Sequence, residues 1–190
     1  MKKGSKMNFL EKIYKWTKEY TECEPLYAPK NAIYIFASDL RKQILEDFAT
    51  RIDMFDVIKE AGGRIHTLGL SDYMHLDGSI FIHSKGNFDI ILPEYTSPVR
   101  DIFTLAHEFG HYILHSVVAG QKSKLWANRY GSGRLEWEAN WFAAAFLMPK
   151  SLLDYLSSQH QLTPEILSNI SGVSLDAAKI RIETYNSEHI

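Results

Sequence analysis

Between residues 9 and 20, apolar side chains fall at Phe9, Ile13, Trp16 and Tyr20, the spacing of one helix face. Pro25 and Pro29 then interrupt the chain. The apolar run Ala32 to Phe36 (AIYIF) reads as a short strand, and Ser38 or Asp39 can cap a long helix reaching about Glu60. Through that stretch Leu40, Ile44, Leu45, Phe48, Ile52, Phe55 and Ile58 keep a helical period, and Gly62-Gly63 ends it. Three strand candidates follow, Arg64 to Leu70, Ser79 to Ser84 and Phe88 to Leu92, the last two joined by Lys85-Gly86-Asn87 as a hairpin loop. Pro98 suits the first turn of the next helix, where its missing N–H costs nothing, and that helix runs to about Val118. A polar loop from Gly120 to Gly133 precedes a second apolar helix, Arg134 to Met148. After Pro149 come Lys150 to Ser158, Pro164 to Asn169 and Leu175 to Tyr185, all helical in pattern. The pattern predicts one α+β fold, mostly helical, with a small antiparallel sheet and a C-terminal helical pair. Residues 1–158 form its main domain and 159–190 a small helical tail.

Composition narrows the function classes. Of 190 residues, 45% are hydrophobic and 23% charged, so a core can form without disulfides. Cys23 has no second cysteine to pair with, which fits a reducing compartment. A formal net charge of −2 gives no electrostatic footprint for nucleic acid. The lysine-rich start lacks an apolar signal-peptide core, and no run has transmembrane length. The expectation is a cytoplasmic protein that does not enter a membrane.

The chemistry is concentrated at His107-Glu108-Phe109-Gly110-His111. Residues four apart share a helix face, so two imidazoles can meet one ion with Glu108 beside them. Neutral imidazole suits zinc, and three protein ligands leave a coordination position for water. Manganese or iron could use a similar donor set. The apolar neighbours Ile102, Phe103, Leu105, Ala106, Phe109, Ile113, Leu114 and Val117 leave this helix little exposure to water, so the polar cluster needs a partner. Gly110 allows another element to come close.

For the third ligand, Glu136 and Glu138 lie about 200° apart on the following helix, so only one can face the metal. Ala139, Asn140, Ala143 and Ala144 accompany Glu136, whereas Trp141, Phe142, Ala145 and Phe146 accompany Glu138. Small residues permit the closer approach, which favours Glu136; Asn140 can then hold a ligand imidazole. Glu138 remains the alternative, and otherwise a surface or salt-bridged carboxylate. On a straight helix His115 lies about 12 Å along the axis from His107, too far to share the ion. It is left as an outer donor, a substrate contact or packing.

These residues, with Phe103 to His111 followed by Glu136 and Ala139 to Pro149, closely resemble the ImmA/IrrE family of metallopeptidases. The resemblance is specific from about Asp77 to Pro149. It implies a zincin-like core with zinc on His107, His111 and Glu136, and Glu108 as the catalytic glutamate. The tail is similar to the helix-turn-helix-like end of many members. The implied substrate is a partner protein, an Xre-type helix-turn-helix repressor, whose loss derepresses mobile-element or stress genes. The competing class is a non-proteolytic regulator that binds the repressor or DNA and uses zinc structurally; a glutamate retained at position 108 favours the enzyme. The last helix offers Lys179 and Arg181 against Asp176 and Glu183, which argues against direct DNA binding. Tyr112, His115 and Tyr130 lie near the motif as candidate donors to an oxyanion.

Overall fold

A computed structural model describes residues 9–45, 47–48, 50–73, 80–94, 96–121, 124–127 and 133–187. The chain opens with α1 (Phe9–Glu19), β1 (Thr21–Glu22), α2 (Lys30–Ile44) and α3 (Met54–Glu60). Next come β2 (Gly63–Leu68), the single turn α4 (Leu70–Tyr73), β3 (Ile80–Ser84) and β4 (Asn87–Pro93). The metal-motif helix α5 (Pro98–Gly110) continues as a wider π-type segment, His111–Val118. Then follow β5 (Leu125–Ala127), α6 (Arg134–Leu147), α7 (Lys150–Ser158), α8 (Pro164–Ser171) and α9 (Leu175–Ser187). This is an α+β fold of zincin-like kind, with the expected C-terminal helical pair.

The sheet is mixed, in the order β1-β5-β3-β4-β2. β3 runs antiparallel to β4 and β5, as a hairpin pattern requires, but β2–β4 and β1–β5 are parallel pairs. Strand alternation divides the apolar residues. Ile80, Ile82, Phe88, Ile90 and Leu92 face the main helical core. Leu68, Phe81 and Ile91 face α1, meeting Ile13 and Tyr20. The expected loop Gly120 to Gly133 contains β5, which adds to β3 through the pairs Ile80–Ala127 and Ile82–Leu125.

Two expectations fail near the N-terminus. Ala32 to Phe36 is helical, lying inside α2. Ile33, Tyr34, Ala37 and Arg41 are buried there while Ile35 is 55% and Phe36 38% exposed, a helical rather than an alternating selection. The single long helix to Glu60 is in fact two. Arg41, 2% exposed, fills the break by donating through Nη2 to Thr50 O at 2.6 Å and through Nη1 to Leu45 O at 3.4 Å. Asp53 restarts the helix by accepting the Phe55 N–H at 2.8 Å. Phe48 and Ile52 pack on the core without being helical, so the apolar period there recorded burial, not backbone shape.

Gly62 ends α3 at φ +87°, and a Cβ there would lie 2.1 Å from the Gly86 carbonyl oxygen. That contact fixes the β3–β4 turn against the start of β2. On the outer face, Asp89 is buried and accepts from Arg64 Nε at 2.7 Å, Arg64 Nη2 at 2.9 Å, His66 Nε2 at 2.6 Å and His83 Nε2. The Tyr20 hydroxyl meets His83 Nδ1 at 2.5 Å, which ties the end of α1 to the same cluster. Burial alone would raise the Asp89 pKa, but the hydrogen bonds from Arg64, His66 and His83 outweigh it and hold the carboxyl well below the usual range. A depressed carboxyl stabilises the fold fully above its unfolded value of about 3.9, and that stabilisation declines as pH falls toward the folded value. Asp89→Asn should therefore cost about 2 kcal/mol near neutral pH, less than a fully buried pair because Arg64 is half-exposed. Urea unfolding at pH 7 and pH 3 checks this: the gap between variant and parent should shrink at the lower pH.

Candidate metal centre

α5 starts at Ser97, whose hydroxyl accepts the Arg100 N–H at 3.3 Å, with Pro98 in the first turn. Its last turns are buried entirely, from Thr104 to Gly110, because α6 lies across them. Gly110 is the contact point. A Cβ there would stand 3.1 Å from Phe142 Cδ1 and 3.3 Å from the Ala139 backbone. Ala139 and Ala143 are fully buried on the facing side of α6.

That approach carries Glu136 to the histidines. His107 Nε2 and His111 Nε2 are 3.1 Å apart. Glu136 Oε2 lies 3.1 Å from His107 Nε2, and Oε1 lies 3.4 Å from His111 Nε2. Donors at about 2.0–2.1 Å from a tetrahedral ion stand about 3.3 Å from one another, so the triangle has the size of a metal's ligand set. Among the described residues, these three form the group of His, Cys, Asp or Glu donors that all lie within 4.8 Å of each other.

The protons point the same way. Asn140 Oδ1 accepts from His107 Nδ1 at 3.0 Å, so a neutral His107 ring presents a lone pair at Nε2. Burial, the largest cause, pushes the His111 pKa down to about 3, so that ring is neutral at physiological pH. Its Nδ1 contacts His115 Nδ1 at 3.0 Å. Two imidazole lone pairs and a carboxylate at such distances repel one another unless a cation stands among them. The site fits a metal ion.

Of the two outer roles left open for it, Glu138 takes the salt-bridged one, and it is fully buried rather than at the surface. It faces His115 Nε2 at 3.1 Å and accepts from Arg134 Nε at 3.0 Å and Leu26 N at 2.7 Å. His115, one turn beyond His111, belongs to this second cluster, and the helix widens from His111 onward. Ala119 N donates five residues back to Leu114 O at 3.1 Å, and Gln121 N does so to Ser116 O at 3.1 Å. An outer donor is one of the roles the sequence leaves open for His115, and its contact with His111 Nδ1 fits that role. The spacing His107, His111, His115 was its only signal. Tyr112 turns the other way: its hydroxyl accepts the Gly86 N–H at 2.8 Å and its ring stacks on Phe88. Tyr130 lies outside the described residues. Glu108 is fully buried between the two histidines in sequence. Burial foremost, then the charges of Glu108, Glu22 and Glu136, pushes the Cys23 thiol up to about 12.

Residues 59–183 match the model of the IrrE N-terminal-like domain of peptidase family M78. The chain belongs to that family. No curated protein matches it. In this IrrE N-terminal-like domain the matched span takes in α5, α6 and most of α9, so the donor triangle sits within the metallopeptidase-type region.

The triangle's size depends on the α5–α6 distance. Gly110→Val should overpack that contact at a cost of about 1–3 kcal/mol and weaken metal binding, since Glu136 moves with α6. Thermal unfolding with and without chelator measures both effects. An unchanged chelator response in the variant would show that the helix contact does not set the donor geometry.

Proposed function

We propose that the protein is a zinc-dependent endopeptidase that cleaves a partner protein, an Xre-type helix-turn-helix repressor, and so derepresses mobile-element or stress genes. The observation that carries this reading is the buried His107–His111–Glu136 triangle, with Glu108 next to His107, in a member of a peptidase family. What a zinc ion supplies when bound is Lewis acidity, which draws the pKa of water toward about 7 and polarises a carbonyl. Glu108 takes the proton of the attacking water and returns it to the leaving amine. His107, His111 and Glu136 are the ligands, and Asn140 holds the His107 ring by its Nδ1–H. Three ligands leave the coordination sphere open, as catalysis requires and a structural site does not. Manganese and iron accept the same donor types, so metal analysis of the purified protein decides the ion.

The repressor as substrate rests on the ImmA/IrrE resemblance, and two features suit a protein substrate. A groove of about 750 Å³ between α5, α6 and α9 includes Asn140 in its wall and is lined by Phe103, Trp137, Trp141 and Ile180. The groove can take an apolar segment of polypeptide, and it reaches the metal centre only through Asn140, which bonds the Nδ1 side of His107. Arg181, one of the two α9 cations, is turned inward: it is 2% exposed, donates to Met148 O at 3.1 Å and lies over the Tyr34 ring. This supports packing of the tail on protein rather than on DNA. Among the described residues no helix is long and apolar enough to cross a membrane, and a cytoplasmic location is where such a repressor would be met.

Incubation with purified Xre-type helix-turn-helix repressors tests the proposal. Glu108→Gln should reduce the cleavage rate by about 10²–10⁴-fold while leaving the metal bound. Equal cleavage by parent and variant would remove Glu108 as the base, and repressor left intact by both would leave the non-proteolytic regulator.

A further inference from the structure

His111, His115 and Glu138 are each 0% exposed and form one continuous line away from the donor triangle. His111 Nδ1 meets His115 Nδ1 at 3.0 Å, and His115 Nε2 meets Glu138 Oε2 at 3.1 Å. At its far end Glu138 accepts two N–H groups, Leu26 N at Oε2 and Arg134 Nε at Oε1. Arg134 is itself fixed, donating through Nη2 to Ala28 O and lying over the Trp141 ring.

Proton counting gives this line a direction. A carboxylate that already accepts two N–H bonds is matched by a donor at His115 Nε2, so the His115 proton sits there. His115 Nδ1 is then a lone pair, and a contact of 3.0 Å between two ring nitrogens needs one proton, which comes from His111 Nδ1. His111 is left with its lone pair at Nε2, facing His107 Nε2 and Glu136 Oε1. With the His115 proton on Nδ1 instead, the order reverses: His111 would carry its proton at Nε2 and block the ion.

We infer that Glu138 and His115 form a positioning relay that selects the metal-ready tautomer of His111, anchored by Arg134 and the Leu26 backbone. His115 stands one turn beyond His111 in the π-type segment, between that ring and Glu138. Neither relay residue touches substrate or ion. The inference rests on His111 being a metal ligand, but not on peptide hydrolysis.

Two measurements on the full chain test it. Long-range ¹⁵N–¹H spectra of the histidine rings in the parent protein should show His111 protonated at Nδ1 and His115 at Nε2, with His115→Gln assigning the His115 signals by their loss. The reverse pattern overturns the relay. In titrations with Co²⁺ and Zn²⁺ against a competing chelator, His115→Leu should bind roughly 10–100-fold more weakly and shift the visible Co²⁺ bands. His115→Gln should recover most of that loss, because its amide oxygen can accept from His111 while its NH₂ donates to Glu138. Parental affinity and bands in His115→Leu overturn the relay, as does a glutamine variant no better than leucine. Inactivity toward every repressor, with these tautomers and affinities intact, would sink the proposed function and leave the relay standing.

Discussion

Gly110 lets the backbone of α6 come within van der Waals reach of α5, and the donor geometry follows from that distance. Helix axes normally pack 8–10 Å apart, and the lower part of that range needs small residues at the crossing. Here glycine meets Ala139, with Phe142 filling the space alongside. The same crossing explains why one carboxylate of α6 reaches the histidines while the other points along the helix bundle. Glu136 and Glu138 are separated by about 200°, so fixing the first in the triangle sends the second toward His115.

Other elements hold this crossing from outside. Tyr112 joins the π-type segment to the β3–β4 turn through Gly86 and Phe88, so the sheet cannot shift without moving the helix that bears the histidines. The segment after β1 is fastened to α6 twice, by Leu26 N to Glu138 and by Ala28 O to Arg134. At the far end of α6, Arg181 of α9 bonds the Met148 carbonyl. α2 joins the same assembly, because Tyr34 lies beneath that guanidinium. Leu167, Val173, Ala178 and Tyr185 complete the same core as the motif helix.

What could be read from the sequence, and what could not, divides along physical lines. α5, α6 and the hairpin were legible because long periodic patterns and glycine turns state their backbone directly. The small-residue face of α6 also pointed to Glu136, which the structure brings to His107 and His111. β1 and β5 were not legible: strands of two and three residues have no period to read, and only pairing across the chain defines them. AIYIF misled because five apolar residues fit a strand or a buried helix turn equally, and the tertiary surroundings chose the helix. An outer-donor role for His115 was legible from its place one turn beyond His111, but its partner Glu138 was not, because only packing against α6 brings the two together. A salt bridge for Glu138 was among the roles open to it, but its full burial was not legible, since carboxylates ordinarily prefer water until a buried partner appears.

Two of the buried carboxylates, Asp89 and Glu136, show what separates a structural polar cluster from a site. Each lies among histidines, and each is removed from water. Asp89 is surrounded by hydrogens, from the Arg64 fork and two ring N–H groups, so the protein itself neutralises it. With the tautomers inferred for the relay, Glu136 faces two ring nitrogens whose hydrogens are committed elsewhere, to Asn140 and to His115. Its Oε1 has no hydrogen-bond partner among the described residues. Burying a carboxylate with lone pairs for neighbours costs several kcal/mol unless a positive charge joins them. In those tautomers the hydrogens of His107 and His111 point outward, away from the centre of the triangle. A cluster built only for stability has no reason to do so, because turning one ring would give Glu136 a donor. That arrangement, more than the spacing of the motif, is what marks His107, His111 and Glu136 as a place for a cation.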